Sequence, residues 1–273
     1  MNLSFSTRGW PNLTWDEMVT TALEMGFSGI EVYNLPKFDT LQAKGGPLHK
    51  YQIAATVRDL REKKLTIPCL DTSCDLSADE GAVAVLTELM EVARNAQVKY
   101  VVACALQDQE DTVFAALETL VAEAEKNGVS LLLKTSGIYA DTARLRKMLD
   151  RFASDNLGAL WDVHHPYRDF GESGDTTIKN LGAYVCHVHL RDSDDAGTYQ
   201  LIGEGTMPID DVMRALSSVN YDGFISLEWK PEWLEDLQDP EVIFPYFVNY
   251  MARFHSTRGM KKNLYPNHDG TGQ

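Results

Sequence analysis

Apolar runs of strand length alternate with amphipathic stretches of helix length almost from end to end of this chain, and that alternation leaves few folds open. The runs are Leu3 to Ser6, Gly29 to Tyr33, Thr66 to Leu70, Tyr100 to Ala103, Ser130 to Leu133, Ala159 to Trp161, Val185 to Leu190 and Phe224 to Leu227. Repeated β-then-α units build a parallel sheet, because each crossover lays a helix on one face of it. Eight strands with eight crossovers make a single-domain (β/α)8 barrel the economical solution, although the sixth crossover, around Thr176 to Leu181, is short. An open doubly wound sheet is the competitor. It normally carries a Gly-rich phosphate turn after its first strand, whereas here the first strand runs into Ser6-Thr-Arg-Gly-Trp-Pro11.

Helix punctuation supports the alternation independently. Thr14-Trp-Asp-Glu17 reads as a capping box, and Gly26 and Gly128 stand where left-handed C-caps are needed. Further helices are expected at Pro47 to Lys63, Ala82 to Ala96, Asp111 to Lys126, Thr142 to Phe152, Ile209 to Val219 and Pro240 to Phe254. The barrel should therefore occupy residues 1–254. Residues 255–273 are polar, lack an apolar period, and are expected to form a tail, a linker or a segment ordered by a partner.

A net charge of −15 disfavours nucleic acid as a partner, because phosphate backbones need a concentrated basic face. No basic-then-apolar leader opens the sequence and no run of about eighteen apolar residues occurs, so a cytoplasmic protein without membrane contact is expected. The four cysteines, Cys69, Cys74, Cys104 and Cys186, lack C-x-x-C spacing and read as reduced packing residues. A small-molecule substrate is the expected partner, with a second copy or a partner subunit also open.

Residues at the C-terminal ends of barrel strands face the active-site mouth, and alternate residues along each strand face the interior. That parity puts His187, His189 and Arg191 inside with Val188 and Leu190 outside, Ser226 and Glu228 inside with Ile225 and Leu227 outside, and Glu31 and Tyr33 inside with Ile30 and Val32 outside. Asp162, His189 and Glu228 are expensive to bury unless paired or ligated, and a divalent cation would satisfy all three. Mixed oxygen and nitrogen donors suit Mn, Co, Mg or Zn. The alternative is an interior network of hydrogen bonds and ion pairs in which Lys134, at the end of the fifth strand, is itself the cation.

The chain resembles the xylose isomerase-like TIM barrels, a group of sugar isomerases, epimerases, dehydratases and endonucleases, from Leu3 to about Phe254. The motifs that carry the resemblance are Trp161-Asp-Val-His-His-Pro166, His187-Val-His-Leu-Arg-Asp192, Gly203-Glu-Gly205 and Gly223-Phe-Ile-Ser-Leu-Glu228. It implies metal-ligand positions at Asp162, His189 and Glu228 and a substrate-contacting one at His165. It also implies a glutamate ligand at the end of the fifth strand, where this chain has Lys134.

Among the other mouth residues, Arg8 and Trp10 suit an oxygen-rich substrate, the guanidinium pairing with oxygens and the ring covering an apolar face; Trp10 could equally pack its loop. Glu31 is either a substrate contact or structural, Glu204 either a contact or a loop brace, and Arg191 the expected receiver of an anionic group. The reaction expected is a metal-assisted isomerisation or epimerisation of a sugar, sugar phosphate or sugar acid through an enediolate, with Glu228 as base. Lys134 would then stabilise the oxyanion, or shuttle a proton if its pKa is depressed. A lyase, dehydratase or deglycosylating subunit on the same barrel is the alternative, as is a non-catalytic accessory barrel.

Overall fold

The computed structural model describes residues 1–34, 39–233 and 239–262. Strands β1 (Asn2–Ser6), β2 (Gly29–Tyr33), β3 (Cys69–Asp75), β4 (Tyr100–Cys104), β5 (Ser130–Lys134), β6 (Leu157–Asp162), β7 (Val185–Leu190) and β8 (Phe224–Leu227) pair in parallel and close into a barrel. Closure falls between β1 and β8, where Leu3 pairs with Ile225 and Phe5 with Leu227. Outside lie α1 (Trp15–Met25), α2 (Ile53–Glu62), α3 (Ala82–Ala96), α4 (Glu110–Asn127), α5 (Thr142–Phe152), α6 (Gly174–Leu181), α7 (Ile209–Ser218) and α8 (Pro240–Lys262). This is the single-domain (β/α)8 barrel that the alternation requires.

Local chemistry sets the element ends. Thr14 caps α1 by accepting from the Glu17 amide at 3.3 Å, and the Glu17 carboxylate accepts from the Thr14 amide at 2.7 Å. Gly26 and Gly128 end α1 and α4 at φ of 79° and 65°. The third strand starts later than Thr66: Thr66 makes an isolated bridge to Gly29, and Pro68 has no amide to give a ladder. The sixth crossover carries two short helices, His164–Phe170 and α6, separated by Gly171 at φ 64°. The backbone of α8 continues past Phe254 to Lys262, and residues 263–273 of the expected tail lie outside the described residues. Among the described residues no helix is long and apolar enough to cross a membrane.

The apolar core lies between strands and helices, as alternation demands. Inside the barrel Cys69, Val102, Leu132 and Leu160 form a separate apolar cluster. The interior near β7, β8, β1 and β2 is polar: Ser4 and Ser226 share a 2.6 Å hydrogen bond, and both His187 and His189 bond Glu31. At the β1 seam, Phe244 of α8 meets Phe5, Trp10 and Phe27 at ring-centroid distances of 4.4, 4.0 and 5.1 Å. Phe244 is fully buried and ties the last helix to the first strand. Phe244→Ala should cost about 3–5 kcal/mol in urea unfolding; a loss under about 1 kcal/mol would show that this cluster does not hold α8 in place.

Candidate active site

The strand parity brings a set of charged groups to the mouth. Asp71 ends the regular part of β3, Lys134 ends β5, Asp162 ends β6, and Arg191 and Glu228 immediately follow β7 and β8. Arg8 enters from the turn Thr7–Gly9 after β1. Lys134 Nζ donates to Asp71 Oδ2 at 2.8 Å and lies 3.9 Å from Glu228 Oε1. Arg8 Nη1 donates to Glu228 Oε1 at 2.6 Å. Arg191 bridges two acids, with Nη2 at 2.7 Å from Asp162 Oδ2 and Nη1 at 2.9 Å from Glu228 Oε2. Three carboxylates are thus matched by three permanent cations. A cavity of about 280 Å³ opens onto them, lined by Arg8, Lys134, Asp162, His165, Arg191 and Glu228 and walled in part by Tyr33, Tyr199 and Lys230.

These neighbours set the protonation states. Burial pushes the Glu228 carboxyl up, but Arg191, Lys134, His189 and Arg8 outweigh it and hold it well below the usual carboxylate range. Asp162 is likewise held down, chiefly by Arg191 against burial. Burial pushes Lys134 down, yet Asp71, Glu228 and Asp162 win and keep it above the ordinary lysine value. The proton-shuttle role for Lys134 rested on a depressed pKa, whereas its carboxylate neighbours push that pKa up. Asp71 is the exception among the carboxyls, because burial keeps it above its usual value despite Lys134. Cys104 borders the cavity with its thiol pushed by burial up to about 12, which fits packing and not nucleophilic attack.

Beneath this layer Glu31 Oε2 takes hydrogen bonds from the Nε2 atoms of His187 and His189, each at 2.8 Å. Glu31 is fully buried and does not border the cavity. Its expected alternative as a substrate contact gives way to a positioning role, since it fixes the His189 ring and leaves Nδ1 3.9 Å from Glu228 Oε2. Burial disfavours charge on His189, but Glu31 raises its pKa above the ordinary value; His187 is lowered by burial.

Other expectations change place. Trp10 is buried against Phe5 and Phe244 and does not border the cavity, because the turn that aims Arg8 inward sends the indole to α8. Glu204 is exposed and bonds the Tyr246 hydroxyl, so it braces α8 and the loop instead of meeting substrate. Its flanking glycines are explained by packing: a Cβ on Gly205 would meet Asp192 Oδ1 at 2.2 Å, and Asp192 accepts from the amides of Gly203, Gly205 and Met207. His165 does border the cavity, Nδ1 on Asp169 at 2.9 Å and Nε2 3.9 Å from Asp162. His164 points away to Ser193, and burial lowers its pKa to about 4.

Sequence reasoning missed Asp71 and Tyr199, and ranked Lys230 behind Arg191 as receiver of an anionic group. Asp71 closes the apolar run Ile67-Pro-Cys-Leu70 as Asp162 closes its own, so the same criterion finds it once the strand is extended by one residue. Tyr199 lies in a two-stranded excursion, Asp192–Ser193 with Tyr199–Gln200, whose pairs of residues are too short to leave a periodic signal. There it stacks on Trp233 at 3.8 Å.

Among the described residues two groups of three side chains could each bring a ligand atom within 4.8 Å of the others: Glu31 with His187 and His189, and Asp71 with His189 and Glu228. The expected set of Asp162, His189 and Glu228 is not among the converging groups, because Arg191 bridges Asp162 and Glu228. In the first group one carboxylate oxygen already serves both imidazoles. In the second, Lys134 holds Asp71, and both guanidinium groups hold Glu228. A divalent ion there would sit beside an ammonium and two guanidiniums in a buried setting, where like charges repel strongly. The second group does not fit a resident divalent metal while Lys134 keeps its place; in the first, Glu31 Oε1 and the Nδ1 atoms of both imidazoles have no hydrogen-bond partner among the described residues, so these residues could hold an ion.

The chain belongs to the family of xylose isomerase-like TIM barrels, whose model matches residues 19–243. Among curated proteins it is 28% identical over 181 residues to an uncharacterized protein of Methanocaldococcus jannaschii, a match covering 62% of this chain and 58% of that protein. It is also 29% identical over 118 residues to fructoselysine 3-epimerase of Escherichia coli O157:H7, covering 41% of this chain and 42% of the enzyme. The chain thus spans about half the length of these relatives. Among solved structures, D-psicose 3-epimerase from Clostridium cellulolyticum H10 aligns at TM-score 0.75 and 15% identity over 93% of this chain and 99% of that one. The IolI protein with a bound zinc atom aligns at 0.73 and 16% identity, over 97% and 100%. At these identities the structural likeness speaks to fold.

The Glu31–His189 pair predicts a pH signature. A raised folded pKa on His189 gives stability that is complete below the ordinary imidazole value and lost as pH rises through the folded one. Glu31→Gln should cost about 3 kcal/mol near neutrality. It should also abolish the decline in urea-unfolding stability above about pH 6.5 that His189 contributes. Wild-type and variant curves that run parallel from about pH 6 to 9 would refute the assignment.

Proposed function

We propose that this barrel is an isomerase or epimerase acting on a sugar, sugar phosphate or sugar acid through an enediolate, with an ammonium doing the electrostatic work expected of a metal. The observation that carries the reading is the Lys134 ammonium, 2.8 Å from Asp71 and 3.9 Å from Glu228, at a strand end that borders the cavity. Family membership and the epimerase among the relatives support the reaction class.

Removing a proton beside a carbonyl puts negative charge on the carbonyl oxygen, and a preformed, poorly solvated cation stabilises that charge without having to reorganise. Lys134 has that character. Glu228 is ionised, buried and oriented by Arg8 and Arg191, so it is the base in reach of a substrate in the cavity. Its low pKa makes it a weak base while both guanidiniums hold it, and drawing one of them onto substrate strengthens it. Tyr199, stacked on Trp233, offers an aromatic wall for the C–H face of a sugar.

Turnover of a ketose or sugar acid in deuterium oxide should place deuterium on the carbon next to the carbonyl; conversion without exchange would discard the enediolate. Lys134→Met should lower kcat by about 10²–10³ with the fold kept, as read by circular dichroism. A drop under about fivefold would remove Lys134 from the chemistry. Wild-type turnover should survive exhaustive treatment with a chelator, and Lys134→Glu should gain divalent-ion binding by calorimetry. Loss of wild-type turnover on chelation, restored by added Mn, Co, Mg or Zn, would return the site to metal-assisted catalysis.

A further inference from the structure

Arg191 was the expected receiver of an anionic substrate group, but both of its terminal nitrogens are committed, one to Asp162 and one to Glu228. Lys134 is committed to Asp71. Lys230, two residues past Glu228, borders the same cavity and is half-buried. Among the described residues no carboxylate comes within 4.0 Å of its ammonium. Arg8 and Glu228 line the same cavity. The Lys230 ammonium lies 5.4 Å from the Trp233 ring centroid.

Arg8 is the other cation at this rim. Its side chain is 21% exposed, against 6% for Arg191, and its guanidinium lies 4.6 Å from the Tyr33 ring centroid. Two like charges crowding one rim of a half-buried cavity are costly by themselves, and an anion between them removes the repulsion. The same rim belongs to a chain of net charge −15, so the local charge is opposite to the global one.

We infer that Lys230 and Arg8 form a subsite for an anionic group of the substrate, a carboxylate or a phosphate carried away from the reacting carbon. The inference rests on the isomerase reading and narrows its substrate class from sugars at large to sugar acids and sugar phosphates. An anion that attracts Arg8 draws it away from its 2.6 Å contact with Glu228 Oε1 only when the right substrate is bound.

Titration calorimetry on the full chain tests this with three probes: gluconate, gluconate 6-phosphate and the neutral polyol glucitol. Wild type should bind one of the anions at least about tenfold more tightly than glucitol. Lys230→Met should lose about tenfold or more of that preference, Lys230→Arg should retain most of it, and glucitol affinity should change by less than about twofold. Preference for gluconate 6-phosphate over gluconate identifies phosphate as the group, and equal binding identifies carboxylate. No anion preference in wild type, or equal losses for glucitol and the anions in Lys230→Met, overturns the subsite. Failure of the two readings is distinguishable: anion binding lost in Lys230→Met without deuterium exchange on any substrate keeps the subsite and discards the isomerase. Exchange on neutral sugars with no anion preference does the reverse.

Discussion

Everything at the mouth of this barrel is organised around an ammonium held between two buried carboxylates. Asp71 and Glu228 come from β3 and β8, which are separated around the barrel by β1 and β2, and each is expensive to bury as a charge. Lys134 pairs with the first at 2.8 Å and faces the second at 3.9 Å, and Arg8 and Arg191 complete the neutralisation of Glu228. Removing one partner would leave an uncompensated interior charge and cost stability. The Glu31–His187–His189 layer below matters for the same reason: it fixes the one imidazole that also approaches Glu228.

The arrangement changes what family membership implies for mechanism. A metal centre needs carboxylate and imidazole lone pairs left open; here Asp71 Oδ2 and Glu228 Oε1 are paired with organic cations, while Asp71 Oδ1, Glu31 Oε1 and the Nδ1 atoms of His187 and His189 have no hydrogen-bond partner among the described residues. Under the proposed reading the ammonium keeps the electrostatic purpose, positive charge where an oxyanion develops, and gives up a metal's ability to gather two substrate oxygens at once. Orientation must then come from the walls, which in this chain include Tyr199 with Trp233 behind it, and the two cations at the rim.

The fold was legible because periodicity and punctuation agree: strand-length apolar runs end in polar mouth residues, and Thr14, Glu17, Gly26 and Gly128 cap as their chemistry dictates. Inward parity on β7 and β8 followed from alternation alone. Which charges meet across the barrel was not legible, because pairing between β3 and β5, or β2 and β7, depends on register and rotamer. Asp162 therefore read as a partner of His189 and Glu228, whereas Arg191 takes it. Trp10 and Glu204 read as mouth residues from their place after strands; the turn at Thr7–Gly9 and the Asp192-centred loop direct them to α8 instead. Short excursions such as Tyr199–Gln200 are set by tertiary contacts and leave no period to read.

The central claim, that Lys134 is a permanent cation in the place of a metal, is tested most directly by titrating its side-chain nitrogen in 15N-lysine-labelled protein by NMR, with Lys134→Met to assign the signal. The ammonium should persist to a pH above the ordinary lysine value, because Asp71, Glu228 and Asp162 together outweigh burial. A signal that deprotonates below that value, or that shifts on addition of a stoichiometric divalent ion, would contradict the account.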